Sequence, residues 1–152
     1  MKDIWQITQA TTDDIEQAAY LFDLYRQFYE QESDVKRATH FLAERLEKKD
    51  SVIYLAVEVR TSKAVGFVQL YPSFSSVSMK RIWILNDLYV LEEYRKKGIG
   101  KALIGATVSL AMSTDAKEVM LETAVTNITA QSLYESLGFT RVTDYYTYYI
   151  KV

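Results

Sequence analysis

Two rhythms of apolar residues divide this chain. From Thr11 onward, Ile15, Ala18, Phe22, Tyr25 and Tyr29 recur at helical spacing, and Leu21, Leu24 and Phe28 widen the apolar face. That pattern predicts a first helix buried along much of its girth, with Thr11-Thr12-Asp13-Asp14 supplying side chains that cap its start. A polar break, Glu30 to Asp34, leads to a second helix over Val35–Lys48, with Val35, Ala38, Phe41, Leu42 and Leu46 on its inner face. Strand-like runs cover Ile4–Ile7, Val52–Val59, Ala64–Tyr71 and Arg81–Leu91. Arg60 to Lys63 reads as a hairpin turn, and Pro72 as the end of its strand. The rhythm then switches to alternation. A helix runs from about Gly98 to Ser113, a strand over Val119–Ala124, a helix over Ile128–Leu137, and a last β segment follows Gly138 and ends in Tyr145–Ile150. The predicted order is β-α-α-β-β-β-α-β-α-β, an α/β (α+β) chain whose mixed sheet is covered by helices.

Composition narrows the classes. With 152 residues, 49% of them hydrophobic, the chain suits a single domain spanning 1–152 with a real core. The net charge of −2 argues against nucleic acid as a partner, because binding it takes a large basic field. The absence of cysteine excludes disulfides, thiolate metal sites and a cysteine nucleophile. Met1 to Trp5 has no apolar signal core, and no apolar run reaches the roughly 18 residues of a membrane span. A cytoplasmic protein with no membrane or metal partner is expected.

Chemistry concentrates where the strand Arg81–Leu91 ends. Leu88-Tyr89-Val90 runs through Leu91-Glu92-Glu93-Tyr94 into Arg95-Lys96-Lys97-Gly98-Ile99-Gly100-Lys101, a basic, glycine-containing turn that opens a helix. Helix N-terminal N–H groups attract anions, glycine lets backbone approach them closely, and three lysines add charge. The turn suits a pyrophosphate; taken alone it suits a plain helix start with solvated lysines as well. A nucleotide P-loop fails here, because Arg95 and Ala102 stand where that motif needs glycine and a hydroxyl. The dinucleotide-binding pattern fails at Leu103, where it needs its third glycine.

Arg95-Lys96-Lys97-Gly98-Ile99-Gly100 resembles the signature of the GCN5-related N-acetyltransferase (GNAT) family, Arg/Gln-x-x-Gly-x-Gly/Ala after an apolar strand. The family's second signature is an Asn after the next strand and a Tyr seven residues on, matched by Asn127 and Tyr134 ahead of Leu137-Gly138-Phe139. The likeness extends along essentially the whole chain. It implies a mostly antiparallel mixed sheet of six or seven strands with about four helices, and acetyl-CoA as co-substrate. It further implies that Leu88, Tyr89 and Val90 pair with the pantetheine arm and that Arg95, Lys96, Lys97, Gly98, Ile99, Gly100 and Lys101 hold the pyrophosphate. Asn127 and Ala130 would line the arm. Tyr134 would face the thioester sulfur and protonate the departing thiolate after direct attack by an amine.

Spacing alone also permits Tyr134 as a packing residue on the face of Ala130 and Leu137. Asp87 is a candidate general base, or a structural carboxylate; Glu122 is a second candidate, and His40 suits a surface or packing role. Leu85–Val90 is similar to the yeast histone and polyamine acetyltransferase subgroup, yet Asn86 stands where spermidine/spermine enzymes carry a glutamate that engages the amine. Asn86, Asp87, Tyr29, Glu30 and Tyr71 are the candidate acceptor residues, and Glu30, Glu32 and Asp34 form an acidic stretch that suits either a cationic amine or a solvated loop. The resulting expectation is acetyl transfer to a primary amine of a small molecule or peptide. A non-catalytic coenzyme A-binding or protein-interaction module is the alternative. The bulky faces Tyr146, Tyr148, Ile150 and Tyr145, Thr147, Tyr149 point to a homodimer.

Overall fold

The computed structural model describes residues 4–152. In chain order the elements are β1 (Trp5–Gln9), α1 (Ile15–Phe28), α2 (Val35–Glu47), β2 (Val52–Glu58), β3 (Ala64–Ser75), β4 (Lys80–Val90), α3 (Ile99–Ser113), β5 (Val119–Met120) and α4 (Ile128–Ser136). Two compact units are present, Met1–Leu121 and Glu122–Val152. Among the described residues no helix is long and apolar enough to cross a membrane.

The first unit holds one five-stranded sheet in the order β1-β2-β3-β4-β5. β1 to β4 are successive antiparallel neighbours, and β5 joins β4 in parallel through Trp83↔Val119 and Ile84↔Met120. β3 is central, with Val65, Phe67, Val68, Gln69 and Leu70 almost without exposure. Successive residues of a strand point to opposite faces. Phe67 meets the rings of Phe22 and Tyr25 from α1, at 6.3 and 5.8 Å between centroids. Above Gly66 the space is taken by Ile99, whose side chain stands 3.3 Å from where a Cβ would be. α1 and α3 therefore cover opposite faces of the sheet, and Phe67, Gln69 and Tyr71 lie on the α1 face.

Local chemistry explains the helix starts. Thr11 and Asp14 form a capping box ahead of α1, with the Thr11 N–H donating to Asp14 Oδ2 at 2.8 Å. Asp34 caps α2 by accepting from the Arg37 N–H. α1 is less enclosed than its apolar pattern predicts. Ala18, Ala19, Leu21, Phe22 and Asp23 are buried, whereas Phe28 and Tyr29 are half exposed and Tyr29 has left the helix as its C-cap. On α2 only Ala38 and Leu42 are buried, and Val35 and Phe41 remain exposed at the rim.

Strand bounds depart from expectation in two places. β3 continues through Pro72 to Ser75, paired to β4 as a long hairpin. The β2 ladder ends at Leu70, so one edge of β3 is free at residue 72 and the missing proline N–H breaks nothing there. The strand count is five rather than six or seven. β5 is cut to Val119–Met120, and the residues after Gly138 form no strand among those described. A strand exists through its ladder, and the aromatic run Tyr145–Ile150 does not by itself supply one.

The second unit is built on α4. Asn127 Oδ1 accepts the Ala130 N–H at 3.2 Å, capping the helix start. Gly138, at φ 96°, lets the chain turn after the last helical residues, and the Phe139 N–H donates to the Tyr134 carbonyl. Arg141 clasps Gln131 and Glu135.

Candidate active site

Asp87, the one acid of β4, is only 4% exposed. A β-bulge sets its position. Gln69 faces Asp87, but Leu70 faces Leu85, leaving Asn86 as the extra residue of β4. Asp87 Oδ2 accepts from Gln69 Nε2 at 2.8 Å, and Oδ1 accepts from Asn86 Nδ2 at 3.1 Å. Tyr25 of α1 also donates toward this carboxyl. Burial raises the Asp87 carboxyl above the ordinary carboxylate range, and the hydrogen bonds from Gln69, Tyr25 and Asn86 offset that only in part. Tyr71 sits nearby. Burial first, and the Asp87 charge second, push its phenol up, so it stays protonated at neutral pH. A desolvated carboxylate with raised proton affinity is suited to take a proton from an ammonium group.

The edge of β4 beside this acid is open. Its ladder to β5 ends at Ile84↔Met120, while its other edge stays paired to β3 as far as Val90↔Gly66. Leu88, Tyr89 and Val90 thus present one edge with no ladder partner among the described residues, the geometry that accepts an extended chain as an added strand. Gly66 matters to this edge, since a Cβ there would stand 3.2 Å from the Tyr89 carbonyl oxygen.

Past Val90 a short turn reaches Arg95, whose Nε donates to the Val90 carbonyl at 2.9 Å and whose guanidinium lies over the Tyr89 ring. Arg95 therefore ties the loop back to β4. Lys96 takes a left-handed φ of 61°, and Gly98 follows at φ 82° as the N-cap of α3. Only glycine adopts the latter without cost, and beyond its chain neighbours nothing lies within 4 Å of where its Cβ would stand. The first N–H groups of α3, from Ile99, Gly100 and Lys101, have no acceptor inside the helix. Lys97 stacks over Tyr94, and Lys96 and Lys101 are exposed. An open glycine corner, helix N–H groups and lysines fit a pyrophosphate.

In the second unit, Asn127 is engaged as the α4 cap, and Ala130 and Tyr134 are partly buried. The Tyr134 ring packs edge-on against Phe139 at 5.8 Å. Glu122 accepts from the Tyr149 hydroxyl at 3.2 Å, and that bond pushes the Tyr149 phenol up.

The structure thus groups Asp87, Asn86 and Tyr71, as the sequence suggests, and adds Gln69, Ser51 and Tyr25. Tyr29 stacks edge-on against Tyr25 at 5.0 Å, half exposed, while Glu30 sits at φ 63° on the exposed interhelical turn. The acidic stretch is not uniformly acidic. An open cleft of about 290 Å³ there is lined by Arg26, Gln31, Glu32, Ser33, Asp34 and Arg37, and none of these belongs to the Asp87 group. His40 is a surface residue, its side chain 84% exposed beside Glu44. One signal for Gln69 was available: an amide inside the apolar run Ala64–Leu70 has to find buried partners.

The acetyltransferase (GNAT) family model matches residues 18–139. A relative 47% identical over 146 residues, 96% of this chain and 97% of its own length, is the uncharacterised N-acetyltransferase YhfO of Bacillus subtilis (strain 168). The crystal structure of a probable acetyltransferase shares 41% identity, covers 97% of both chains and superposes with a TM-score of 0.92. The chain belongs to the GNAT family and is an N-acetyltransferase. At 18% identity, the aminoglycoside N-acetyltransferase AAC(6')-Iy in complex with CoA shares the fold, covering 100% of this chain and 98% of its own with a TM-score of 0.82.

Proposed function

We propose that this enzyme moves an acetyl group from acetyl-CoA to a primary amine of a small molecule or peptide, by direct attack and in the cytosol. The observation that carries the reading is the buried Asp87, raised in proton affinity, next to the open edge Leu88–Val90 that leads into the Gly98 corner. The family match runs across both compact units, which supports reading 1–152 as one N-acetyltransferase domain.

Acetyl-CoA supplies an activated acyl thioester. Leu88, Tyr89 and Val90 offer backbone groups to an extended pantetheine arm, and Arg95 to Lys101 offer N–H groups and positive charge to the pyrophosphate. Asn127 and Ala130 are the proposed contacts of the second unit with the arm. An alkylammonium has a pKa of about 10.4, so the acceptor arrives protonated at neutral pH. Asp87 takes that proton, directly or through water, and frees the nitrogen lone pair for attack. A backbone N–H near Val90 stabilises charge developing on the carbonyl oxygen. Tyr134 gives its hydroxyl proton to the leaving thiolate. Asn86, Tyr71, Tyr29 and Glu30 are the proposed acceptor contacts. The likeness of Leu85–Val90 to the histone and polyamine subgroup favours a cationic amine, with Asn86 in place of the glutamate arguing against polyamines.

An acceptor screen tests this reading: acetyl-CoA with alkylamines, polyamines, aminoglycosides and N-terminal peptides, followed by thiol release. Release that depends on one amine class, with the matching N-acetyl product, is expected. Coenzyme A binding without transfer to any amine would contradict it.

We also propose a homodimer through the C-terminal segment. Tyr145, Tyr146, Tyr148, Tyr149 and Ile150 are 80–91% exposed, a run of apolar surface that monomers seldom leave to water. Sedimentation equilibrium at twice the chain mass is the expected result, and a monomer at micromolar concentration would refute it.

A further inference from the structure

Asp87 does not stand alone in the sheet. Behind it runs a buried polar line: the Ser51 hydroxyl donates to Gln69 Oε1 at 2.9 Å, and Gln69 Nε2 donates to Asp87 Oδ2 at 2.8 Å. Ser51 is 6% exposed, Gln69 not at all, and Asp87 4%. Every other residue of β3 from Ala64 to Leu70 is apolar or glycine. A polar side chain in the centre of a sheet costs stability unless its partners are in place. Ser51 and Asp87 are those partners, one on each side of the Gln69 amide.

The arrangement has only one consistent orientation while Asp87 is charged. A carboxylate accepts and cannot donate, so the amide must turn its NH2 toward Asp87. The amide oxygen then faces the other way and needs a donor, which Ser51 supplies. We propose that Gln69, held at its amide oxygen by Ser51, is a positioning residue that aims the Asp87 carboxylate for proton transfer from the acceptor amine. The inference rests on Asp87 being the base.

The consequences follow from the geometry. Gln69 occupies one Asp87 oxygen and Asn86 the other, so the carboxylate plane is fixed from two sides. The remaining lone pairs are the ones left for a proton. The other groups that face this carboxyl are Tyr25 from α1 and Tyr71 from β3, while Arg45 and Asp50, paired at 2.8 Å, act on Tyr71. Of these, the Gln69 bond is the one set by a second buried residue. A donor to the charged form favours that form. Removing it, or letting the amide turn, makes Asp87 hold its proton at higher pH and leaves it less able to act near neutrality.

The test compares wild type, Ser51→Ala, Ser51→Thr and Gln69→Met. Gln69→Met keeps the length and deletes the donor. Ser51→Ala leaves the amide in place and deletes only the hydroxyl that holds its oxygen. Two readouts are taken. The first is the titration of the Asp87 carboxyl carbon by NMR, assigned with Asp87→Asn. The second is the acid limb of the kcat/KM profile for the best amine from the acceptor screen. The expected result is an upward move of the Asp87 midpoint by about one pH unit in Gln69→Met and less in Ser51→Ala, with the acid limb moving alongside. Ser51→Thr, which restores a hydroxyl, brings both back toward wild type. An Asp87 midpoint unchanged in folded Ser51→Ala and Gln69→Met overturns the inference. If Gln69→Met fails to fold, the two Ser51 variants make the same comparison. A midpoint that moves while the acid limb stays still upholds the coupling of Ser51, Gln69 and Asp87 and overturns the base reading beneath it.

Discussion

Asp23 and Asp87 are both aspartates buried to within 4% of full enclosure, yet their surroundings push the two carboxyls in opposite directions. Asp23 lies on α1 and ties down the turn to α2. It accepts from Ser33 Oγ and the Asp34 N–H, both at 2.7 Å, and from Gln27 Nε2 at 2.9 Å. Burial alone would raise this carboxyl, but those bonds, with Arg26 nearby, bring it below its ordinary value. Asp87 receives its donors deep in the sheet, and there burial wins. The difference teaches that enclosure does not decide the role of an acid. An acid whose charge is fully compensated serves structure, and one held under-compensated is ready to take a proton.

The sharpest way to break this contrast is to neutralise Asp87. Asp87→Asn is expected to lower kcat/KM near neutral pH by about 10²–10⁴-fold while leaving thermal stability equal or higher. A carboxyl raised in the folded state binds its proton more tightly there than in the unfolded chain. Stability therefore falls as pH rises from about 4 through the folded value, and the cost is fully present above it. Asparagine does not carry that cost, so its melting temperature should gain on wild type at pH 8 relative to pH 4. A large loss of melting temperature at pH 8 would make Asp87 structural.

The proposed proton donation by Tyr134 to the leaving thiolate is tested separately. Tyr134→Phe is expected to lower kcat by about 10²-fold, the low end of general-acid effects because water can also protonate a thiolate. Coenzyme A affinity, read by calorimetry, should stay near wild type. Unchanged kcat on an acceptor for which chemistry limits the rate would remove the role.

Asp23→Ala should do the reverse of Asp87→Asn. It leaves three donors without their acceptor and is expected to cost about 3 kcal/mol of unfolding free energy, with kcat per folded molecule retained. Its lowered carboxyl stabilises the fold above the unfolded value of about 3.9, and that contribution is lost as pH falls through the folded value. Urea unfolding at pH 7 and pH 3 should show the variant's deficit shrinking in acid. Ser33→Ala removes one of the three donors and should cost about 1 kcal/mol by the same measurement.

The sequence showed the β4 exit and the α3 corner clearly, because both are local. A glycine at φ 82° opening a helix leaves its mark within six residues, Arg95 to Gly100. The buried polar residues were harder to read. Asp23 and Gln69 look like interruptions of apolar runs until their partners, 4 to 18 residues away, are folded against them. Pro72 misled because its cost depends on which neighbouring strand is present, a tertiary fact. Tyr145–Ile150 is rich in strand-forming residues, yet such composition leaves open whether an edge is available to pair with.

The most direct test of Asp87 as the base is the ratio of wild-type to Asp87→Asn kcat/KM across pH. If Asp87 removes the proton from the amine, the ratio is large near pH 7 and shrinks as pH approaches the amine pKa of about 10.4, where the free amine needs no base. A ratio that stays constant over that range would contradict the account.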